Sequence, residues 1–87
     1  MPYKVEVKPQ AEKDMARIPN PHRQRIRKAL LDLASSPRSA GYRKLAGSED
    51  VYRIRVGVYR VVYKIVDRVL SVYVIRVAHR KDAYRGM

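Results

Sequence analysis

The sequence predicts an α+β fold: an N-terminal strand, a two-helix hairpin, and a curved, mainly antiparallel sheet of about four strands with the helices packed on one face. Three features predict it. They are a short alternating segment at the N terminus, two stretches of helical spacing divided by Pro19-Asn20-Pro21, and three runs rich in branched aliphatics and tyrosine in the C-terminal half. With 87 residues there is room for one hydrophobic core, so residues 1–87 are read as a single domain without linker or repeat.

The segment from Tyr3 to Lys8 alternates Lys4, Glu6 and Lys8 against Tyr3, Val5 and Val7, the two-residue period of a strand with one buried face. Pro9 ends it. From Gln10 to Ile18 the apolar positions Ala11, Met15 and Ile18 fall at helical spacing. Pro19-Asn20-Pro21 closes that helix and opens the next, with Asn20 as cap and Pro21 in the first turn, where a missing N–H costs nothing. The second helix is expected to run to about Ser35, because Ile26, Leu30, Leu33 and Ala34 form one stripe while Arg23, Arg27 and Lys28 lie on other faces. Ser36-Pro37 stops it. Arg38 to Asp50 lacks periodicity and contains Gly41, Gly47 and Ser48, the mark of a loop. Val51 to Val56, Val58 to Val66 and Val69 to Val77 then follow, separated only by Gly57 and by Asp67-Arg68, which implies an antiparallel meander.

Charge narrows the partners. Twenty Lys and Arg against eight Asp and Glu give a net charge of +12, a field that seeks a polyanion, with nucleic acid first among the candidates. No apolar run approaches the ~20 residues that cross a bilayer, and the opening Met1-Pro2-Tyr3-Lys4-Val5 has no apolar leader, so no membrane partner is expected. Cysteine is absent, which removes disulfide and thiolate chemistry and fits a reducing cytoplasm. Two histidines without matching carboxylate spacing make no metal site, and there is no P-loop, dinucleotide fingerprint or Ser-His-Asp arrangement. No metal or cofactor is expected.

The parity of basic residues on the strands locates the chemistry. Tyr52, Ile54 and Val56 share one face while Arg53 and Arg55 share the other; on the next strand Tyr59, Val61, Tyr63 and Ile65 oppose Arg60 and Lys64, with Val62 between them. If the apolar sets face the helices, Arg53, Arg55, Arg60 and Lys64 gather on the opposite face. The last strand is almost wholly apolar, with Leu70, Val72 and Val74 on one side and Val69, Tyr73 and Ile75 on the other. Arg76 and Arg80 continue one side and extend the patch toward Lys81 and Arg85. Like charges opposed across a sheet destabilise it, so an anionic partner explains such a patch better than a solvated face does. Tyr52, Tyr59, Tyr63 and Tyr73 are assigned to the core, whereas Tyr84 falls outside every apolar pattern and is free to stack on a base, handle a proton, or pin the tail to the sheet. His22 is read as an exposed helix residue; His79, beside Arg80, is a candidate for catalysis or RNA contact. A polybasic site of this kind stabilises the negative charge that builds when a ribose 2′-hydroxyl attacks the adjacent phosphate. DNA lacks that hydroxyl, which makes RNA the matched substrate.

Several segments together resemble the RelE-type toxins of the RelE/ParE superfamily. They are Tyr3-Lys4-Val5-Glu6-Val7, the first helix ending before Pro19, Ser35-Ser36-Pro37-Arg38, Lys44-Leu45-Ala46-Gly47, Val51-Tyr52-Arg53-Ile54-Arg55-Val56-Gly57, Tyr59-Arg60-Val61-Val62-Tyr63, and Val77-Ala78-His79-Arg80-Lys81-Asp82-Ala83-Tyr84-Arg85. Each motif is weak alone; their order and spacing are specific. The resemblance implies a type II toxin that enters the ribosomal A site and cuts mRNA by 2′-hydroxyl attack, as a metal-independent endonuclease. It also implies an acidic cognate antitoxin that covers the basic surface, in a heterotetramer or larger assembly. By position, the resemblance implies that Arg60 holds the scissile phosphate, that Arg80 stabilises charge or assists the leaving group, and that Tyr84 stacks or acts as base. Arg53 and Arg55 form the basic pair on the preceding strand, where the family pattern has lysines. Arginine keeps its proton, so these two are expected to be electrostatic clamps, leaving Tyr84 or His79 to take the proton. RNA contacts are further expected from Lys64, Arg76, Lys81 and Arg85. The main alternative is a ParE-like inhibitor of DNA gyrase with the same fold and no nuclease activity; a harmless basic RNA-binding module is the other.

Overall fold

The computed structural model describes residues 2–38, 42–45 and 50–81. The expected plan is present: strand β1 (Lys4–Val7), helices α1 (Pro9–Ala16) and α2 (Asn20–Ser35), then strands β2 (Arg43–Lys44), β3 (Val51–Val56), β4 (Tyr59–Val66) and β5 (Ser71–His79). The five strands form one sheet in the order β1-β5-β4-β3-β2. β1 runs parallel to β5, Lys4 opposite Ser71 and Val7 opposite Val74, and the other neighbours are antiparallel.

The strand beyond the expected four is β2. Its two residues pair Arg43 with Arg53 and Lys44 with Tyr52, and the Leu45 N–H adds a bond to the Val51 carbonyl at 2.9 Å. A two-residue strand is too short to show alternation, so this part of the sequence reads as loop.

Helix boundaries follow the prolines. Pro9 occupies the first turn of α1, which ends at Ala16 because the Arg17 and Ile18 N–H groups turn back to the Asp14 and Met15 carbonyls, 3.2 and 3.1 Å. Asn20 does not cap α2, as its sequence position suggests. Pro19 takes the cap position and its carbonyl accepts the Arg23 N–H at 3.0 Å, while the Asn20 side-chain oxygen accepts the Arg23 and Gln24 side chains at 3.4 Å within the first turn.

The core lies between the helices and one face of the sheet. Ala11, Met15, Ile18, Ile26, Leu30 and Leu33 meet Ile54, Val61, Tyr63, Ile65, Val72, Val74 and Val77, all buried. The parity predicted for β3 and β4 holds, and Tyr3, Val5 and Val7 of β1 pack on the same side. Tyr63 is fully enclosed; its hydroxyl donates to the Pro37 carbonyl at 2.8 Å, and burial, reinforced by Tyr42 and Tyr52, pushes its phenol up to about 12.

Strand β5 departs most from the expectation. The segment 67–69 is a 3₁₀ turn closed by Leu70 in the left-handed region, φ 48°, so the strand begins at Ser71 and runs on to His79. Val62 faces Arg76 but Tyr63 faces Val74, which leaves Ile75 as an extra residue, a β-bulge. The bulge inverts the alternation: Val72, Val74 and then Val77 face the helices, and Arg76 turns to the other side. Tyr73, assigned to the core from sequence, is on the face away from it, opposite Lys64 and half-exposed, with the Lys8 ammonium 4.7 Å from its ring centroid.

Beyond Val74, β1 no longer pairs with β5, and α1 packs along that edge. Asp14 accepts the Val77 N–H there at 3.0 Å. At the opposite end of the sheet Asp67 binds Arg38 at 2.8 and 3.0 Å and accepts the Tyr3 hydroxyl, tying the β4–β5 turn to the exit of α2 and the start of β1. Among the described residues no helix is long and apolar enough to cross a membrane.

Candidate nucleic-acid interface

The sheet face turned away from the helices carries the basic residues in cross-strand rows. One row is Arg43, Arg53, Val62 and Arg76; the next is Arg55, Arg60 and Ala78; a third is Val51, Lys64 and Tyr73. Neighbouring strands are only ~4.8 Å apart, so the direct opposition of Arg55 to Arg60 and of Arg43 to Arg53 concentrates like charge at a cost that an anionic ligand removes. Val62 is fully buried yet lies outside the helix-side core, which makes it an apolar floor between Arg53 and Arg76. Arg55, Lys64, Arg80 and Lys81 are exposed, whereas Arg53, Arg60 and Arg76 are half-buried, and the Arg60 Nε is shielded from solvent. Half-buried guanidinium groups lose less entropy on binding a phosphate and act in a lower dielectric than free ones.

The local sequence explains this placement. Gly57, at φ 63°, makes the tight β3–β4 turn that puts Arg55 across from Arg60. The Arg80 N–H bonds to the Val58 carbonyl at 2.7 Å, so Arg80 stays against this same turn, at the Arg55–Arg60 end of the sheet. Arg43 was not singled out from the sequence. The only signal for it was the Arg43-Lys44 pair in the middle of an aperiodic stretch.

Of the expected site residues, His79 stands apart from this group. His79 lies opposite Tyr59 and shares its face, the helix side. Its ring meets Tyr59 edge-on at 5.9 Å; Tyr59 in turn lies 5.4 Å from His22 of α2, and the His79 Nδ1 accepts the Lys81 N–H at 3.3 Å. His22 is thus half-buried in an aromatic stack and not an exposed helix residue. Arg76 is on the basic face, but its Nε donates to Asp14 at 3.0 Å. Burial pushes the Asp14 carboxyl up, yet the Val77 N–H, the Gln10 amide and the Arg76 guanidinium outweigh it and hold the group below the usual carboxylate range. Tyr84 and Arg85 lie outside the described residues.

Chemically, the face is a platform of fixed positive charge. Its guanidinium groups can hold a phosphate and neutralise charge developing on it, and they cannot accept a proton. Among the described residues no group of three or more His, Asp or Glu side chains is placed to hold a metal ion.

Residues 5–84 match the family described as ParE toxin of type II toxin-antitoxin system, parDE. The chain is 36% identical to Toxin RelG of Mycobacterium tuberculosis, across 98% of this chain and 99% of that protein. It is 31% identical to the mRNA interferase toxin RelE of Escherichia coli, across 93% and 86% of the two chains. Among solved structures, the toxin–antitoxin complex RelBE2 from Mycobacterium tuberculosis superposes with a TM-score of 0.83 at 27% identity, covering 92% of this chain and all of the matched one. The archaeal RelE–RelB complex from Pyrococcus horikoshii gives the same TM-score and identity over 95% of this chain. The chain therefore belongs to the ParE toxin family of type II toxin–antitoxin systems and, within the RelE/ParE superfamily, is a RelE-type toxin.

Proposed function

We propose that this toxin is an mRNA interferase that cleaves message bound in the ribosomal A site, without a metal ion. The observation that carries the reading is the convergence of Arg53, Arg55 and Arg60 on one sheet face, with the backbone of Arg80 held at the same end. In the reaction the 2′-oxygen bonds to the neighbouring phosphorus, the bond to the 5′-oxygen breaks, and the products are a 2′,3′-cyclic phosphate and a 5′-hydroxyl end. Arg60 holds the scissile phosphate, Arg80 neutralises charge on the departing 5′-oxygen, and Arg53 and Arg55 clamp the backbone. Lys64, Arg76, Lys81 and Arg85 add contacts to flanking phosphates. The proton on the 2′-hydroxyl goes to the Tyr84 oxygen acting in its deprotonated form, with His79 as the weaker candidate because it lies on the opposite face with its Nδ1 engaged, and the departing 5′-oxygen takes a proton from water.

The partner that restrains this activity is an acidic antitoxin segment laid over the same face, disordered until it binds. The relatives of known structure that support this are themselves complexes of RelE with RelB.

The family match by its ParE description favours a second reading, in which the toxin inhibits DNA gyrase and leaves message intact. Induced expression of the wild type beside Arg60→Ala and Arg80→Ala, with primer extension on a translated message, separates the two. Codon-phased cuts that vanish in both variants support the interferase; growth arrest with intact message supports the gyrase reading; growth without arrest refutes both.

A further inference from the structure

Among the described residues, Tyr73 is the tyrosine that the core does not use. It stands on the basic face opposite Lys64 and, on its other side, opposite Glu6 of β1. Lys8, Lys64, Tyr73 and Ile75 line a shallow depression of about 330 Å³, within the size range of small-ligand sites. Lys64 is four residues from Arg60 on the same strand and face, so the depression begins ~13 Å from the scissile-phosphate position, on the order of two nucleotides of single-stranded RNA.

We infer that Tyr73, flanked by Lys8 and Lys64, is a stacking platform for one base of the bound RNA, about two nucleotides from the cut. The inference rests on the RNA reading above and adds a subsite to it. An aromatic ring set among cations on the outer face of a sheet is the arrangement by which single-stranded RNA is held, bases on the ring and phosphates on the charges. The Lys8 ammonium lies over the electron-rich π-face at 4.7 Å, and a base stacks on that face by displacing this exposed side chain. The charges divide the roles. Glu6 pairs with Lys8 at 2.8 Å, and this contact holds the Glu6 carboxyl below its usual range, so the Lys8 side is close to neutral. A phosphate is not favoured there and a base is. Lys64 is exposed and on the side of the arginine rows, where the backbone must pass. With Lys8 already paired to Glu6, an acidic protein segment would gain little charge pairing at this depression and little from the ring, which favours RNA as occupant.

The test is an abasic scan: ribosome-bound messages carrying a single abasic ribonucleotide at successive positions on either side of the cut, with the cleavage rate measured for wild type, Tyr73→Phe and Tyr73→Ala. Loss of one stacked base is expected to slow wild type and Tyr73→Phe roughly 5- to 150-fold at one position about two nucleotides from the cut. Tyr73→Ala should cut the intact message slowly and show no further loss at that position. As a second variant at an exposed site, Lys64→Gln should flatten the log–log salt dependence of RNA binding by about 0.7, one phosphate's share. The inference is overturned if the scan has the same profile in wild type and Tyr73→Ala, or if Tyr73→Ala spares RNA cleavage and weakens capture of an acidic antitoxin peptide instead. If the wild type cuts no message at all, the RNA reading falls first and this one with it; a flat scan on a message that is cut removes this one alone.

Discussion

Replacing Asp14 by asparagine removes the charge that Arg76 faces while keeping an oxygen for the Val77 N–H. The pair is neither a surface nor a deeply buried one, because the side chains are 10% and 26% exposed. Exposed ion pairs contribute about 0–1 kcal/mol and breaking buried ones costs about 3–5, so the loss for Asp14→Asn is expected at about 1–2 kcal/mol. Asp14→Ala also orphans the Val77 N–H on the edge that β1 leaves uncovered, adding about 1–1.5 kcal/mol. In a domain of this size, 1 kcal/mol moves Tm by about 4–8 °C, which gives roughly 5–15 °C for the Asn variant and roughly 10–25 °C for the Ala variant. Calorimetry or circular dichroism melts of the two variants, alone and in an Arg76→Met background, measure this directly. Asp14→Asn should cost about 1 kcal/mol less when Arg76 is already gone. If Asp14→Asn leaves Tm within about 2 °C of wild type, or costs the same in both backgrounds, α1 is not anchored to β5 through this charge.

Three further outcomes are expected. Tyr84→Phe should lower the rate of message cleavage by about 10²–10⁴-fold with RNA binding intact, and His79→Ala should cost much less; equal losses in single-turnover assays, or none in either, would refute the proton assignment. Asp67 is held down to about 2 by Arg38 first and the Tyr3 hydroxyl second. Because its folded value lies below the unfolded one, its contribution is complete above about pH 4 and disappears as the pH falls toward 2, and urea titrations in that window should show a loss that Asp67→Asn abolishes. Arg53→Gln and Arg55→Gln should each flatten the log–log salt dependence of RNA binding by about 0.7, and an unchanged slope in a filter-binding series would place the RNA elsewhere.

The basic face was legible where the chain alternates strictly. Ile54 against Arg53 and Arg55, and Val61 and Tyr63 against Arg60 and Lys64, state their faces in the sequence, since a half-buried strand has a period of two. What alternation could not carry was the insertion of Ile75. A bulge is invisible in a run of valines and isoleucines, and it decided the sides of Arg76 and His79. Strand β2 escaped because two residues hold no period, and Asn20 because a proline before it satisfied the helix start. The Asp14–Arg76 pair joins distant parts of the chain, so nothing local announced it. The family resemblance recovered the order of elements and the candidate arginines, and it carried no information on how the bulge turns them.

The parallel pairing of β1 with β5 also sets a schedule for the molecule's birth. Strand β1 leaves the ribosome well before β5 and finds its partner only when β5 has been made, for Lys4 must wait for Ser71. The helices and the β3–β4 hairpin can form on the way, but the sheet cannot close until β5 has been translated. The arginine face assembles on β3, β4 and β5 together, so a partly synthesised chain carries the charge without the geometry. A truncation lacking β5 should accordingly be inert, and the interval between synthesis and closure is a window in which a binding partner can meet the chain before it is armed.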